Sequence, residues 1–95
     1  MEVGAAPKVF SLSQNYPNPF NPTTSIEFTL PEDGKATMKI YDMLGREVAK
    51  VFDGEAKAGY YQKVIIDGSR IASGVYFGRI EYKNKMLLKK MLLLK

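Results

Sequence analysis

The stretch TSIEFTLPEDGKATMKIYD, residues 24–42, decides how this chain folds. In its first half Ile26, Phe28 and Leu30 alternate with Ser25, Glu27 and Thr29. In its second half Ala36, Met38 and Ile40 alternate with Thr37, Lys39 and Tyr41. A side-chain period of two puts apolar residues on one face and polar residues on the other, the pattern of half-buried β-strands. Pro31-Glu32-Asp33-Gly34 separates the two runs, and Asp-Gly between alternating segments predicts a hairpin.

The same rhythm extends in both directions. Downstream, Asp42-Met43-Leu44-Gly45 predicts a turn into REVAKVF (46–52), and DGEAKAG (53–59) a second turn into YYQKVIID (60–67). DGSRIASG (67–74) then leads to GVYFGRIEY (74–82), and Asn84 marks a tight turn into the tail KMLLKKMLLLK (85–95). Upstream, VFSLS (9–13) supplies a further short strand. Seven short strands punctuated by turns predict an all-β fold, a seven-stranded antiparallel sandwich of immunoglobulin-like type, with a small barrel as the alternative. Ile26, Phe28, Met38, Ile40, Val48, Val64, Ile66, Tyr76 and Ile80 are the expected interior. The tail reads two ways: Leu87, Leu88, Met91 and Leu92 would line one helical face, whereas a strand sets Leu87, Met91 and Leu93 against Leu88, Leu92 and Leu94. The hairpin-length connection at Asn84 favours the strand, pairing with residues 74–82 and leaving its outer edge for a partner.

Composition narrows the function classes. Ninety-five residues, 45% of them hydrophobic, suit one domain with one modest core. No run approaches the roughly 18 apolar residues of a membrane-spanning helix. There is no cysteine and no histidine, which removes disulfides, thiol nucleophiles and imidazole bases. The net charge of +4 is concentrated late, at Lys83, Lys85, Lys89, Lys90 and Lys95. Leu and Met separate these lysines rather than arginines and stacking aromatics, so no nucleic-acid partner is expected. Asp42, Asp53 and Asp67 sit beside turns, where side-chain bonds to backbone N–H explain them better than a metal site, which needs six to eight converging oxygens. Ser69 and Ser73 near Arg70 have no base, and Glu32-Asp33 reads as turn rather than as an acid/base pair. No catalytic residue, cofactor or metal is expected. An immunoglobulin-like structural or adhesive module binding protein or carbohydrate is one expectation, and carbohydrate binding would need Tyr41, Tyr60, Tyr61 and Tyr82 to share one exposed surface.

One segment breaks the rhythm. In QNYPNPFNPTT (14–24), Pro17, Pro19 and Pro22 lack N–H groups and push Tyr16, Asn18 and Asn21 toward extended backbone. The rings of Tyr16 and Phe20 are expected to pin this stiff connector to one end of the sandwich. Asn21-Pro22-Thr23 is no glycosylation acceptor, because proline occupies its middle position.

Taken together, NYPNPFNPTTSIEFTLPEDGKATMKIYDMLGREV (15–48), Ala58-Gly59, SGVYF (73–77) and the closing KKMLLLK (89–95) resemble the type A C-terminal sorting domain of the type IX (Por) secretion system of Bacteroidetes and related Gram-negative bacteria. The resemblance runs over roughly residues 10–95 and includes the terminal lysine. It implies an immunoglobulin-like domain, akin to that of flagellar hook-capping proteins. It also implies that residues 9–95 direct an upstream cargo, joined through a linker at residues 1–8, through the outer-membrane translocon to the cell surface or medium. A sortase-like peptidase would then typically remove the domain. The absence of a signal peptide at Met1 fits, because that signal would precede the cargo. By resemblance, Pro17, Asn18, Pro19, Phe20, Asn21 and Pro22 form the opening structural motif. Gly74, Tyr76, Lys89, Lys90, Met91, Leu93 and Lys95 form the part recognised by the translocon. Self-association through the terminal strand is a further expectation. The chain departs from the family at Ile66, where tryptophan is common, and at Gly78, where a large residue is common; both departures reduce expected core volume.

Overall fold

Each alternating run becomes a strand in the computed structural model, which describes residues 5–95. Residues 1–4 of the expected linker lie outside the described residues. The strands are β1 (Ser11–Leu12), β2 (Thr23–Thr29), β3 (Gly34–Asp42), β4 (Glu47–Ala56), β5 (Gln62–Asp67), β6 (Gly74–Tyr82) and β7 (Lys85–Leu93), with no helix among the described residues. One sheet has the order β1-β2-β5 and the other β4-β3-β6-β7, every pairing antiparallel. The fold is the expected immunoglobulin-like sandwich.

The inner faces follow the sequence pattern closely. Ile26, Phe28, Met38, Ile40, Val64, Ile66, Tyr76 and Ile80 are all buried. Val48 is only half-buried, because β4 is an edge strand whose register against β3 shifts twice, between Met38 and Lys39 and between Ile40 and Tyr41. Such shifts take a strand off strict alternation. Ala6, placed in the linker by sequence, is buried and donates its N–H to the Gly59 carbonyl at 3.0 Å.

Two turn readings differ from the structure. Pro31-Glu32-Asp33-Gly34 joins β2 to β3, which lie in different sheets, so Asp-Gly here makes a crossing between layers and not a hairpin. Alternation tells which face of a strand is buried; it does not tell whether the next strand pairs with it or crosses the core. Packing favours a small residue at Gly34 instead: a Cβ there would stand 3.1 Å from Tyr82 Cε1, so the ring would have to give by a few tenths of an ångström. Asp53 is not a turn residue either. It lies in β4, 3.6 Å from Lys35 Nζ and 3.5 Å from Lys50 Nζ, and the chain reverses only after Ala56. The true hairpins are Asp42 to Arg46, with Gly45 at φ 81°, and Lys83-Asn84, with Lys83 at φ 54°.

The small residue at Gly78 leaves no void. A Cβ at that position would lie 3.6 Å from Met91 Cε, 3.7 Å from Ile40 Cδ1 and 3.8 Å from Ile26 Cδ1, all ordinary contact distances. Met91 of β7 therefore occupies the space a larger side chain would take. Gly78→Ala is expected to stabilise the domain by about 0.4–1 kcal/mol, by restricting the unfolded chain at no steric cost. Gly78→Leu is expected to destabilise by about 1–3 kcal/mol through overpacking. Urea unfolding of the two variants measures both signs.

Candidate functional site

Three separated motifs meet at one end of the sandwich. The proline-rich segment leaves β1 beside β2, crosses to the other sheet and runs along the outer edge of β7. Its start is fixed to β2: Tyr16 N–H donates to the Ser25 carbonyl at 2.9 Å and Ser25 N–H returns a bond to the Tyr16 carbonyl at 3.1 Å. Buried Asn15 holds the next turn, its Nδ2 donating to the Pro17 carbonyl and to Thr24 Oγ1, both at 3.1 Å. Thr24 Oγ1 in turn donates to the Pro17 carbonyl at 2.8 Å. The bonds preceding Pro17, Pro19 and Pro22 are all cis.

The far end of the segment is fixed to β7. Phe20 N–H donates to the Leu92 carbonyl at 2.9 Å, and Leu94 N–H donates to the Phe20 carbonyl at 3.0 Å, a parallel bridge centred on Leu93. Leu92 N–H donates to Asn18 Oδ1 at 3.1 Å, and Gln14 Nε2 donates to the Lys90 carbonyl at 2.8 Å. The second half of the β7 edge, expected to be open for a partner, is thus covered from within the chain. Proline makes a suitable cover. The segment bonds through Tyr16 and Phe20, while Pro17, Pro19 and Pro22 present no N–H from which a further strand could grow.

Phe20 is the plug of this end. Its side chain is 2% exposed and packs against Leu93, itself fully buried, over Gly68. A Cβ at Gly68 would stand 2.9 Å from Leu93 Cδ2 and 3.2 Å from Phe20 Cε2. Gly68 N–H also donates to the Pro22 carbonyl at 2.7 Å, tying the β5–β6 loop to the end of the proline segment. Tyr16, expected to pin the segment alongside Phe20, does not: its ring is 81% exposed and only its backbone is engaged.

The remaining predicted site residues divide by burial. Tyr76 is buried, and its hydroxyl donates to the Ala72 carbonyl at 2.6 Å, a corner like that at the start of the corresponding strand in immunoglobulin-like sandwiches. Gly74 has φ 156°, backbone that side-chain-bearing residues rarely adopt. Met91 and Leu93 are core residues, 1% and 0% exposed. Lys89 lies on the core-facing side of β7, half-buried at its rim, while Lys90 faces solvent. Lys95 closes the β5–β6 loop: its N–H donates to Ser73 Oγ and its Nζ to the Ser69 carbonyl, each at 2.9 Å. Asn21 and Pro22 are exposed beside this loop. Sequence reasoning missed Gln14, Asn15, Thr24, Gly68, Ser69 and Ser73. Gly68 was legible only as turn chemistry, and the polar residues carry no spacing that announces their partners.

The aspartates are electrostatically settled. The Arg46 backbone N–H is the main cause holding Asp42 below the ordinary value of 3.8, helped by the Arg46 guanidinium. The charge of Lys35 lowers Asp53, and the Ser69 N–H lowers Asp67, with Arg70 and Lys95 adding to it. A carboxylate whose folded pKa is depressed contributes stability above its unfolded value and loses it as pH falls through the folded value. The melting temperature is therefore expected to hold from neutral pH to about 5 and to fall as pH drops below about 4. Asp67→Asn is expected to reduce that acid dependence, since asparagine keeps an acceptor and does not titrate. Melting curves recorded against pH for both proteins test this. No group of three or more potential metal ligands occurs among the described residues.

The tyrosines do not form a sugar-stacking face. Tyr82 is buried, with its hydroxyl donating to the Glu32 carbonyl. Tyr41 lies under the Arg79 guanidinium, 4.4 Å from its ring centre. Tyr60 and Tyr61 are exposed but adjoin one another at the start of β5, on the other sheet from Tyr41.

A family model described as a secretion system C-terminal sorting domain matches residues 14–94. No curated protein matches the chain.

Proposed function

From the premise that this chain belongs to the family of secretion system C-terminal sorting domains, and so acts as a sorting signal for type IX secretion, we propose that the folded end built by its three motifs is what the translocon recognises. The domain interacts with the type IX machinery and serves export to the cell surface or medium. In this proposal the route is the periplasm and outer membrane of a Gram-negative cell. The cargo precedes residue 9, and a sortase-like peptidase cuts within the leading linker. The domain's contribution is binding and not chemistry.

The observation that carries the proposal is the convergence itself. Phe20 packs on Leu93 and Gly68, and Lys95 Nζ bonds the Ser69 carbonyl. Residues distant in sequence thereby make one continuous surface. Within it the roles divide: Phe20, Tyr76, Met91 and Leu93 are buried and hold the shape, so a partner meeting the folded domain touches Lys90 and the exposed prolines. Gly74 and Lys95 fix the loop beside them.

The test is export of a fusion carrying this domain in a bacterium with the secretion system. Lys90→Glu is expected to lower export at least several-fold with an unchanged melting temperature, because Lys90 is exposed. Asp53→Asn, far from this end on β4, is expected to leave export near normal. Full export of the Lys90→Glu fusion would remove Lys90 from the recognised surface.

A further inference from the structure

We propose that the uncovered first half of β7 receives an extended strand of another protein, one that carries paired acidic residues next to apolar ones. This deepens the sorting reading, since it names the chemistry of a partner at the same strand. The Lys90 carbonyl, both polar groups of Leu92 and the N–H of Leu94 point away from β6, because Gln14, Asn18 and Phe20 take them. Within one strand, N–H and C=O of alternate residues point the same way. The β6–β7 register runs unbroken from Tyr82↔Lys85 to Gly74↔Leu93. Met86 and Leu88 therefore turn N–H and C=O outward, and Lys90 its N–H, with no backbone partner among the described residues.

The side chains along this edge specify the occupant. Toward the outer face stand Met86 and Leu88, 57% and 49% exposed, and then Lys90. Toward the inner rim stand Lys85, Leu87 and Lys89. β7 carries no carboxylate, and the one on the neighbouring strand, Glu81, is held by Arg79 at 2.9 Å. An added strand meets a two-by-two pattern: two adjacent lysines at 89 and 90, then two adjacent leucines at 87 and 88. Cross-strand neighbours on one face interact directly, and opposite charges there are favourable. An antiparallel partner would thus read acidic-acidic-apolar-apolar from its N-terminal side. A second copy of this chain fits poorly, because it would bring another Lys85, Lys89 and Lys90 to the same edge.

The test is a titration of the isotope-labelled chain followed by amide NMR, with the synthetic peptide Glu-Glu-Val-Val-Val-Glu and its Lys-Lys-Val-Val-Val-Lys counterpart. The acidic peptide is expected to shift the amides of Met86, Leu88 and Lys90 and to bind at least ~10-fold tighter than the basic one. The preference is expected to weaken as added salt screens it. The Lys89→Glu/Lys90→Glu double variant is expected to reverse the preference. Leu88→Pro is expected to abolish binding while keeping the fold, since the lost N–H faces away from the β6 ladder. Equal binding of both peptides, shifts confined to other strands, or dimerisation through these amides without peptide would each overturn the inference. If Lys90→Glu lowers export while no peptide binds, the sorting reading stands and the strand addition falls.

Discussion

Replacing Phe20 by alanine is expected to reduce the unfolding free energy by about 3–5 kcal/mol, the range for a fully buried phenylalanine. The expectation rests on where the ring sits. Phe20 lies on a segment with no regular secondary structure, yet its side chain is 2% exposed and lies against Leu93 and Gly68. Removing it opens a cavity between the two ends of the chain. The wall of that cavity cannot easily collapse, since the bonds at Tyr16, Asn15 and Gly68 hold the segment in place. Against a total stability of roughly 5–15 kcal/mol, the loss leaves a marginal domain. Urea unfolding of Phe20→Ala against Tyr16→Ala checks the assignment. The exposed Tyr16 ring is expected to cost little, so equal losses would show that the plug has been misplaced. A fusion bearing Phe20→Ala is expected to lose export along with its fold.

Deletion of residues 90–95 is expected to unfold the domain outright. The deletion takes away two core side chains, Met91 and Leu93, each expected to be worth about 2–5 kcal/mol. It also removes the Leu92 and Leu94 bonds to Phe20 and the closure of the β5–β6 loop by Lys95. The sum matches or exceeds the stability of a small domain. Far-UV circular dichroism and amide dispersion of the truncated chain measure it, and a folded truncation would contradict the core role of β7. Lost export by a truncated fusion is consequently no measure of recognition. Point changes at Lys90, which leave the core intact, separate reading of the tail from folding of the domain.

Much of this was legible in the sequence, and the reason lies in local geometry. The strands β2, β3, β5 and β6 announce themselves by a period of two, because the backbone alone decides that successive side chains face opposite ways; β4, with its two register shifts, does so less clearly. Pro17, Pro19 and Pro22 announce a segment that cannot join a ladder as an ordinary strand. The tail was more ambiguous, because Leu, Met and Lys suit helix and strand alike; the short connection at Asn84 favoured the strand that forms.

Only the tertiary structure decided what those elements do to each other. Sequence pattern placed Tyr16 and Phe20 equally, yet one ring is in water and the other in the core, because only residue 20 comes level with Leu93 and Gly68. The Asp33-Gly34 turn crosses between sheets, since β3 pairs with β4 on one side and β6 on the other and leaves β2 no edge of β3 to join. The edge of β7 looked open along its length, yet Gln14, Asn18 and Phe20 seal its second half. Local rules name the face that a residue turns to the core. Contacts between residues more than seventy positions apart depend on how two sheets stack, and no periodicity along the chain encodes that distance.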